Sequence, residues 1–137
     1  MPTVDPIKQA EELAQIFFAL SNAVNDFRLR PDNFNALSDA RQQRLKDQAQ
    51  ALTLRGQQCT AEALSAILHD IQPHMASIKQ ATQDAKDALD HLNDVEKAIT
   101  IVDAAVALVG SIMTGDVSSI GDNVQGLLQA LIPPEKS

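Results

Sequence analysis

Aromatic side chains are scarce in this sequence, which has no tryptophan, no tyrosine and four phenylalanines in 137 residues. Strands are enriched in aromatic and β-branched residues, whereas alanine, leucine and glutamine, which are common here, favour helices. The residues that interrupt helices are few, with five glycines and six prolines. The composition therefore predicts an all-α protein. The length suits one hydrophobic core, so we expect a single helical-bundle domain over residues 1–137.

The sequence has a single cysteine, Cys59, so an internal disulfide is excluded and nothing points to an oxidising compartment. We expect Cys59 to be buried as a small apolar side chain, because it falls on a predicted helical seam of small residues. The opening segment MPTVDPIKQAEELAQ lacks the basic patch and apolar run of a signal peptide. We therefore expect a cytoplasmic protein, and export without a signal peptide is compatible with the same sequence.

Basic residues are outnumbered, at 11 against 18 acidic ones, which gives a net charge of −7. Proteins that bind nucleic acid rely on a basic face that releases counterions from the phosphates. We therefore expect no nucleic-acid partner.

The short motifs that mark common enzyme sites are also missing. The sequence has no G-x-x-x-x-G-K-[ST], G-x-G-x-x-G, H-E-x-x-H, C-x-x-C or G-x-S-x-G. It also lacks the Glu-x-x-His pair with which helical bundles hold two iron or manganese ions. We therefore predict a protein with no enzymatic activity and no cofactor.

Apolar residues recur at alternating intervals of three and four along most of the chain, in the heptad pattern of helices that pack as coiled coils. This spacing predicts helices at about 5–29, 39–71, 74–113 and 116–132. Pro31, Pro73 and a turn at Gly115 separate them. Short connections favour antiparallel neighbours, so we expect an elongated antiparallel up-down bundle of four helices of unequal length.

The predicted third helix has one irregularity, where the alternation slips between Leu92 and Val95. We favour a continuous helix, because neither glycine nor proline interrupts it. The alternative is a boundary, with Asn93 or Asp94 capping a new helix and Glu96 in its first turn.

Four ionisable residues, Asp84, Asp87, His91 and Asp94, are spaced 3, 4 and 3 and so share one face of the predicted helix. Carboxylates and imidazole are ligands for divalent cations, which makes these residues weak candidates for a metal site. All four belong to one helix, and no ligand from a neighbouring helix can be identified. We therefore favour a solvated acidic face.

The segment AITIVDAAVALVGSIM, residues 98–113, has 12 apolar residues in 16. As a helix it spans about 24 Å, less than the roughly 30 Å of a bilayer core, which favours a buried helix of a bundle. However, residues 98–132 contain no lysine or arginine, and a glycine-bearing turn joins two apolar helices there. The alternative is a hairpin that inserts into a membrane, although it lacks the basic and aromatic residues that anchor such segments.

We therefore predict a non-enzymatic protein that acts through helix-to-helix contact with a protein partner or with a second copy. The residues expected to form the contact are apolar positions outside the main seams, namely Phe18, Phe34, Ile101 and Leu108. For Phe18 the alternative is a second contact within the core. The alternative function is a membrane-active protein, pore-forming or lipid-binding, that inserts the hairpin 98–132.

Overall fold

The structure is a computed structural model that describes residues 6–60, 62–64, 68–92 and 94–131. Within these ranges all regular elements are helical: α1 (Pro6–Leu29), α2 (Pro31–Ala36), α3 (Asp39–Gln58), α4 (Leu68–Ile71), α5 (Met75–His91), α6 (Val95–Thr114) and α7 (Val117–Leu131). A 3₁₀ turn, Gln72–His74, joins α4 to α5. The predicted all-α class is confirmed. The prediction of four helices is wrong, and the predicted ends at residues 5 and 132 lie outside the described residues.

Helix α2 occupies a segment that the sequence suggested was a loop or a short turn. Arg30 has extended backbone angles, with φ −61° and ψ 134°, and Pro31 follows at the first helical position, where its missing N–H costs nothing. The buried Asn33 side chain donates to the carbonyl oxygen of Phe27, at 3.0 Å. This hydrogen bond holds the short helix against the end of α1.

Helix α3 begins where predicted but ends at Gln58, well before residue 71. The Ser38 hydroxyl caps its start by accepting from the backbone N–H of Arg41, at 3.2 Å. At the other end, the Cys59 N–H turns back to the carbonyl oxygen of Gly56, at 3.1 Å. The Thr60 hydroxyl accepts from the N–H of Ala63, so it begins a separate turn. A glycine in the last helical turn and a capping threonine therefore end the helix.

The prediction of one continuous helix over 74–113 is also wrong. Leu92 and Asp94 both have extended backbone angles, and the Asp94 carboxylate caps α6 by accepting from the N–H of Lys97, at 3.1 Å. The guanidinium of Arg30 donates to the carbonyl oxygens of Leu89, Asp90 and Leu92 at 2.5, 2.7 and 2.9 Å. These bonds satisfy carbonyls that are left unpaired when a helix ends. Asn93 lies outside the described residues.

The five long helices form a closed ring. Helix α1 packs against α3 and α5, α6 packs against α7 and α3, and α5 packs against α7. The pairs α1–α3 and α5–α6 are antiparallel. The buried apolar side chains form one cluster inside the ring, and its largest fully buried members are Leu13, Phe17, Leu20, Phe27, Leu45, Leu52, Leu64, Ile71, Ile78, Leu89, Ile101 and Leu108.

Candidate interaction surfaces

The four residues predicted to form an interaction surface lie in different environments. Phe34 is 51% exposed and Phe18 is half-buried, whereas Ile101 and Leu108 are only 1% and 0% exposed. The expected exposure of Ile101 and Leu108 is wrong. That prediction required the apolar seam of α5 to continue along the same face into α6. The break before Asp94 interrupts the seam. The structure thus brings none of these four residues into a common surface patch.

Phe18 contributes to the contact between α1 and α3, which is the alternative considered for it. A Cβ atom built at Gly56 would lie 2.5 Å from Phe18 Cε1, so the ring fills the space that a side chain at position 56 would need. One turn further along α1, the Ser21 hydroxyl donates to the Ala49 carbonyl oxygen, at 2.7 Å, and is hydrogen-bonded to the Thr53 hydroxyl. The two helices therefore approach closely here, and Phe18 fills the gap between them.

Phe34 lies beside a shallow depression of about 330 Å³ at the junction of α1, α2 and α3. We call this the Phe34 surface, and its lining residues are Arg28, Phe34, Asp39, Gln42, Gln43 and Lys46. Arg28 donates to the side-chain oxygen of Asn25 at 3.0 Å and to that of Gln42 at 3.4 Å. The Gln42 amide donates in return to the Arg28 carbonyl oxygen, at 3.0 Å. The exposed Phe34 ring therefore shares this depression with polar side chains that are hydrogen-bonded to one another.

A larger depression, of about 460 Å³, lies between α1 and α5. We call it the α1–α5 groove, and its lining residues are Glu12, Gln15, Ile16, Ala19, Leu20, Lys79, Thr82, Gln83 and Lys86. This groove was not predicted from the sequence. Most of its residues lie at i, i+3, i+4 and i+7 positions on each helix, and the packing of α1 against α5 brings the two faces together.

The four candidate metal ligands do not form a site. Asp84 and Asp87 accept hydrogen bonds from the glutamine four residues before each, His91 Nδ1 lies 2.9 Å from the Asp87 carbonyl oxygen, and Asp94 caps α6. The break before Asp94 removes it from the helical face that the other three share. In the described parts of the chain, no group of three or more histidine, cysteine or acidic side chains is arranged to hold a metal ion.

Cys59 is buried, as predicted, with 8% of its surface exposed. Its Sγ lies 3.8 Å from the Sδ of Met113. Burial raises the pKa of the thiol to about 11. The thiolate, which is the reactive form, is therefore rare at neutral pH.

The hairpin formed by α6 and α7 is attached to α3 by polar contacts that we call the α3–α6 latch. Arg41 forms an ion pair with Glu96, and the Asp103 carboxylate accepts from Arg44 Nη2 at 2.6 Å and from Gln48 Nε2 at 2.5 Å. The hydrogen bond and charge of Asp103 raise the pKa of Arg44. Polar contacts at one edge of the hairpin therefore add to its apolar packing.

Among the described residues one helix, Val95–Thr114, is long and apolar enough to cross a membrane by length and composition. The core helix of a soluble protein passes the same test, and much of this helix is buried in the bundle.

Comparison of the chain with protein-family models, with curated proteins and with solved structures yields no match.

Proposed function

We propose that this chain is a non-enzymatic interaction protein that works without a cofactor, through helix-to-helix contact with a protein partner or a second copy. The exposed ring of Phe34 is the observation that carries the proposal. A cytoplasmic location and an elongated bundle, whose long helices offer extended faces, are consistent with such a role.

The side chain of Phe34 is more exposed than those of the other phenylalanines. Phe17 and Phe27 are fully buried, and Phe18 packs over Gly56. An aromatic ring is a large apolar surface, and rings of this kind often carry much of the binding energy at protein interfaces. Leu29, at the end of α1, is also exposed, at 54%. The polar rim of the Phe34 surface supplies hydrogen-bonding groups of the kind that surround interface centres.

The substitution Phe34→Ser tests this proposal, with Leu54→Ser as the matched control. Leu54 is on α3 and is as exposed as Phe34, at 51%. Size-exclusion chromatography with light scattering over a range of concentrations measures self-association, and chemical crosslinking in cell extract compares bound proteins. We expect Phe34→Ser to weaken self-association, or to lose one crosslinked partner, by at least about tenfold, equivalent to about 1.4 kcal/mol. Identical behaviour of both variants and the parent chain would contradict the proposal.

The second candidate function is membrane activity of the hairpin of α6 and α7. Two observations favour it: α6 has the length and composition of a spanning helix, and the sequence between 98 and 132 has no lysine or arginine. The tight turn that joins the two helices, with Gly115 at φ 76°, would let the pair move together.

Leakage of dye from liposomes at neutral and acidic pH tests the second candidate. Val106→Asp places a charge on a half-buried position of α6 and should abolish leakage if the helix enters lipid. Absence of both leakage and lipid binding by the parent chain, at either pH, would rule this function out.

A further inference from the structure

The walls of the α1–α5 groove are two parallel helical faces. At one end of the groove, Lys79 Nζ of α5 lies 3.0 Å from Glu12 Oε2 of α1. Lys86 of α5 lies in the last part of the lining. On α5 the lining positions 79, 82, 83 and 86 follow the i, i+3, i+4, i+7 pattern, as do 12, 15, 16 and 19 on α1. Seven residues correspond to about 10.5 Å of helix, so the groove runs along about two helical turns.

The floor of this groove is apolar. Ile16, Ala19 and Leu20 of α1 contribute hydrocarbon, and Leu20 is part of the buried core. The Thr82 hydroxyl donates to the carbonyl oxygen of Ile78, at 2.7 Å, and lies 3.1 Å from that of Lys79, so its hydrogen is engaged within its own helix. A ligand in the groove would therefore be stabilised more by burial of its apolar surface than by hydrogen bonds.

The charges at the rim are unbalanced. Lys79 is paired with the one acidic residue of the lining, Glu12. Lys86 is half-buried, and no carboxylate in the described parts of the chain forms an ion pair with it. The groove thus carries an excess of one positive charge in a chain of net charge −7. A cation without an ion-pair partner at the rim favours an anionic ligand by charge complementarity.

We propose that the α1–α5 groove binds an acidic amphipathic helix of a partner protein. The apolar face of that helix covers Ile16 and Ala19, and a carboxylate on its flank pairs with Lys86. An apolar strip about two turns long, with a cation at its edge, has the features of grooves that take amphipathic helices. The site lies on a different pair of helices from the Phe34 surface, and the inference does not depend on the function proposed for that surface.

The test uses the intact chain with an environment-sensitive dye attached through Gln15→Cys on the wall of the groove. The native thiol of Cys59 is buried and its pKa is raised, so labelling near neutral pH is directed to the introduced site. The probe is an amphipathic helical peptide with leucine on one face and glutamate on the other. Its counterpart has lysine in place of every glutamate. The same dye attached through Gln50→Cys, at an exposed position of α3, is the location control.

We expect the acidic peptide to shift the dye emission at position 15, saturably, and to leave the dye at position 50 unchanged. Lys86→Glu should weaken binding by at least about tenfold and Lys86→Gln by less, since the first reverses the charge and the second removes it. Arg55→Glu, which reverses a charge at an exposed position of α3, should leave the affinity unchanged. Circular dichroism checks that each variant is folded.

Four results would overturn the inference. The first is no shift with acidic peptide up to about millimolar concentration. The second is equal binding of the basic peptide, or equal binding by the Lys86→Glu variant. The third is a shift that depends on protein concentration alone, which would identify a second copy as the occupant. The fourth is a shift produced by a long-chain fatty acid and not by the peptide, which would make the groove a lipid site.

Discussion

The thiol of Cys59 is enclosed between the end of α3 and Met113 of α6, and this enclosure controls its chemistry. Burial raises its pKa from about 9 to about 11. We expect alkylation by iodoacetamide at pH 8 to be roughly a hundredfold slower in the folded chain than in urea, because the thiolate fraction falls by that factor. The loss of free thiol with time, followed by mass spectrometry, measures both rates.

Because of the same pKa shift, the free energy of unfolding should depend on pH in the alkaline range. The unfolded thiol ionises first, so between about pH 9 and pH 11 the unfolded state binds fewer protons and stability falls as pH rises. Below pH 9 both states keep the proton and this dependence vanishes. Cys59→Ala is the control, because urea midpoints of that variant should lack the thiol's contribution over this interval.

The alkylation prediction has its own contrary outcome. Equal alkylation rates in folded and unfolded chains would show that the thiol is accessible.

Several helix boundaries in this protein were predictable from residues at the boundary itself. The end of α1 before Pro31, the start of α3 after Ser38 and the turn at Gly115 depend on residues within the boundary itself. The break after α5 depends in part on Arg30, which binds carbonyl oxygens about 60 positions further along the chain. The spacing of apolar residues is irregular between Leu92 and Val95, but this irregularity could not reveal that Arg30 binds there.

The cap of α6 by Asp94 is a local contribution that a single substitution can measure. The carboxylate satisfies the N–H of Lys97 at the third position of the helix, so we expect Asp94→Ala to lower the free energy of unfolding by about 1 kcal/mol. Urea denaturation followed by circular dichroism gives this value. Asp94→Ser or Asp94→Asn, which keep a capping oxygen, should recover most of the loss.

The control for the cap is Asp90→Ala, which removes the same exposed carboxylate from within α5, where its side chain caps nothing. This variant should keep the stability of the parent chain or gain slightly, since alanine has the higher helix propensity. Equal losses from Asp90→Ala and Asp94→Ala would mean that net charge matters here and that the cap does not.

The arrangement of helices in the ring determines which apolar faces are covered, and heptad spacing alone did not reveal it. Spacing correctly placed Leu13, Phe17 and Leu20 in the core, because α1 needs only one apolar stripe to contact its neighbours. Helix α6 is apolar over much of its circumference, so several faces could equally have been buried. In the bundle, where α6 packs against α3 and α7, both Ile101 and Leu108 are buried. The α1–α5 groove escaped prediction for the same reason, since it exists only where two particular helices meet.

Helices α6 and α7 pack against each other more extensively than either packs against α3 or α5, so we expect the hairpin to open as a unit. Asp103→Ala tests this by removing the centre of the α3–α6 latch. Gln48 Oε1 is buried and unpaired already, and the substitution leaves its Nε2 without its acceptor as well. We expect a loss of about 1 kcal/mol in the free energy of unfolding, mainly from the hydrogen bond to Gln48, because Arg44 and Asp103 are too exposed for their ion pair to add much. Hydrogen exchange should quicken across α6 and α7 together.

Asp122→Ala is the matched control for the latch, since it removes an exposed carboxylate from α7 of the same hairpin. It should leave both the urea midpoint and the exchange rates close to those of the parent chain. If Asp103→Ala also kept the parent midpoint, the latch would add nothing to attachment of the hairpin. If faster exchange were confined to α3, the latch would stabilise that helix alone. Faster exchange in both α6 and α7, with α1 unchanged, requires that the hairpin opens while the rest of the bundle stays folded.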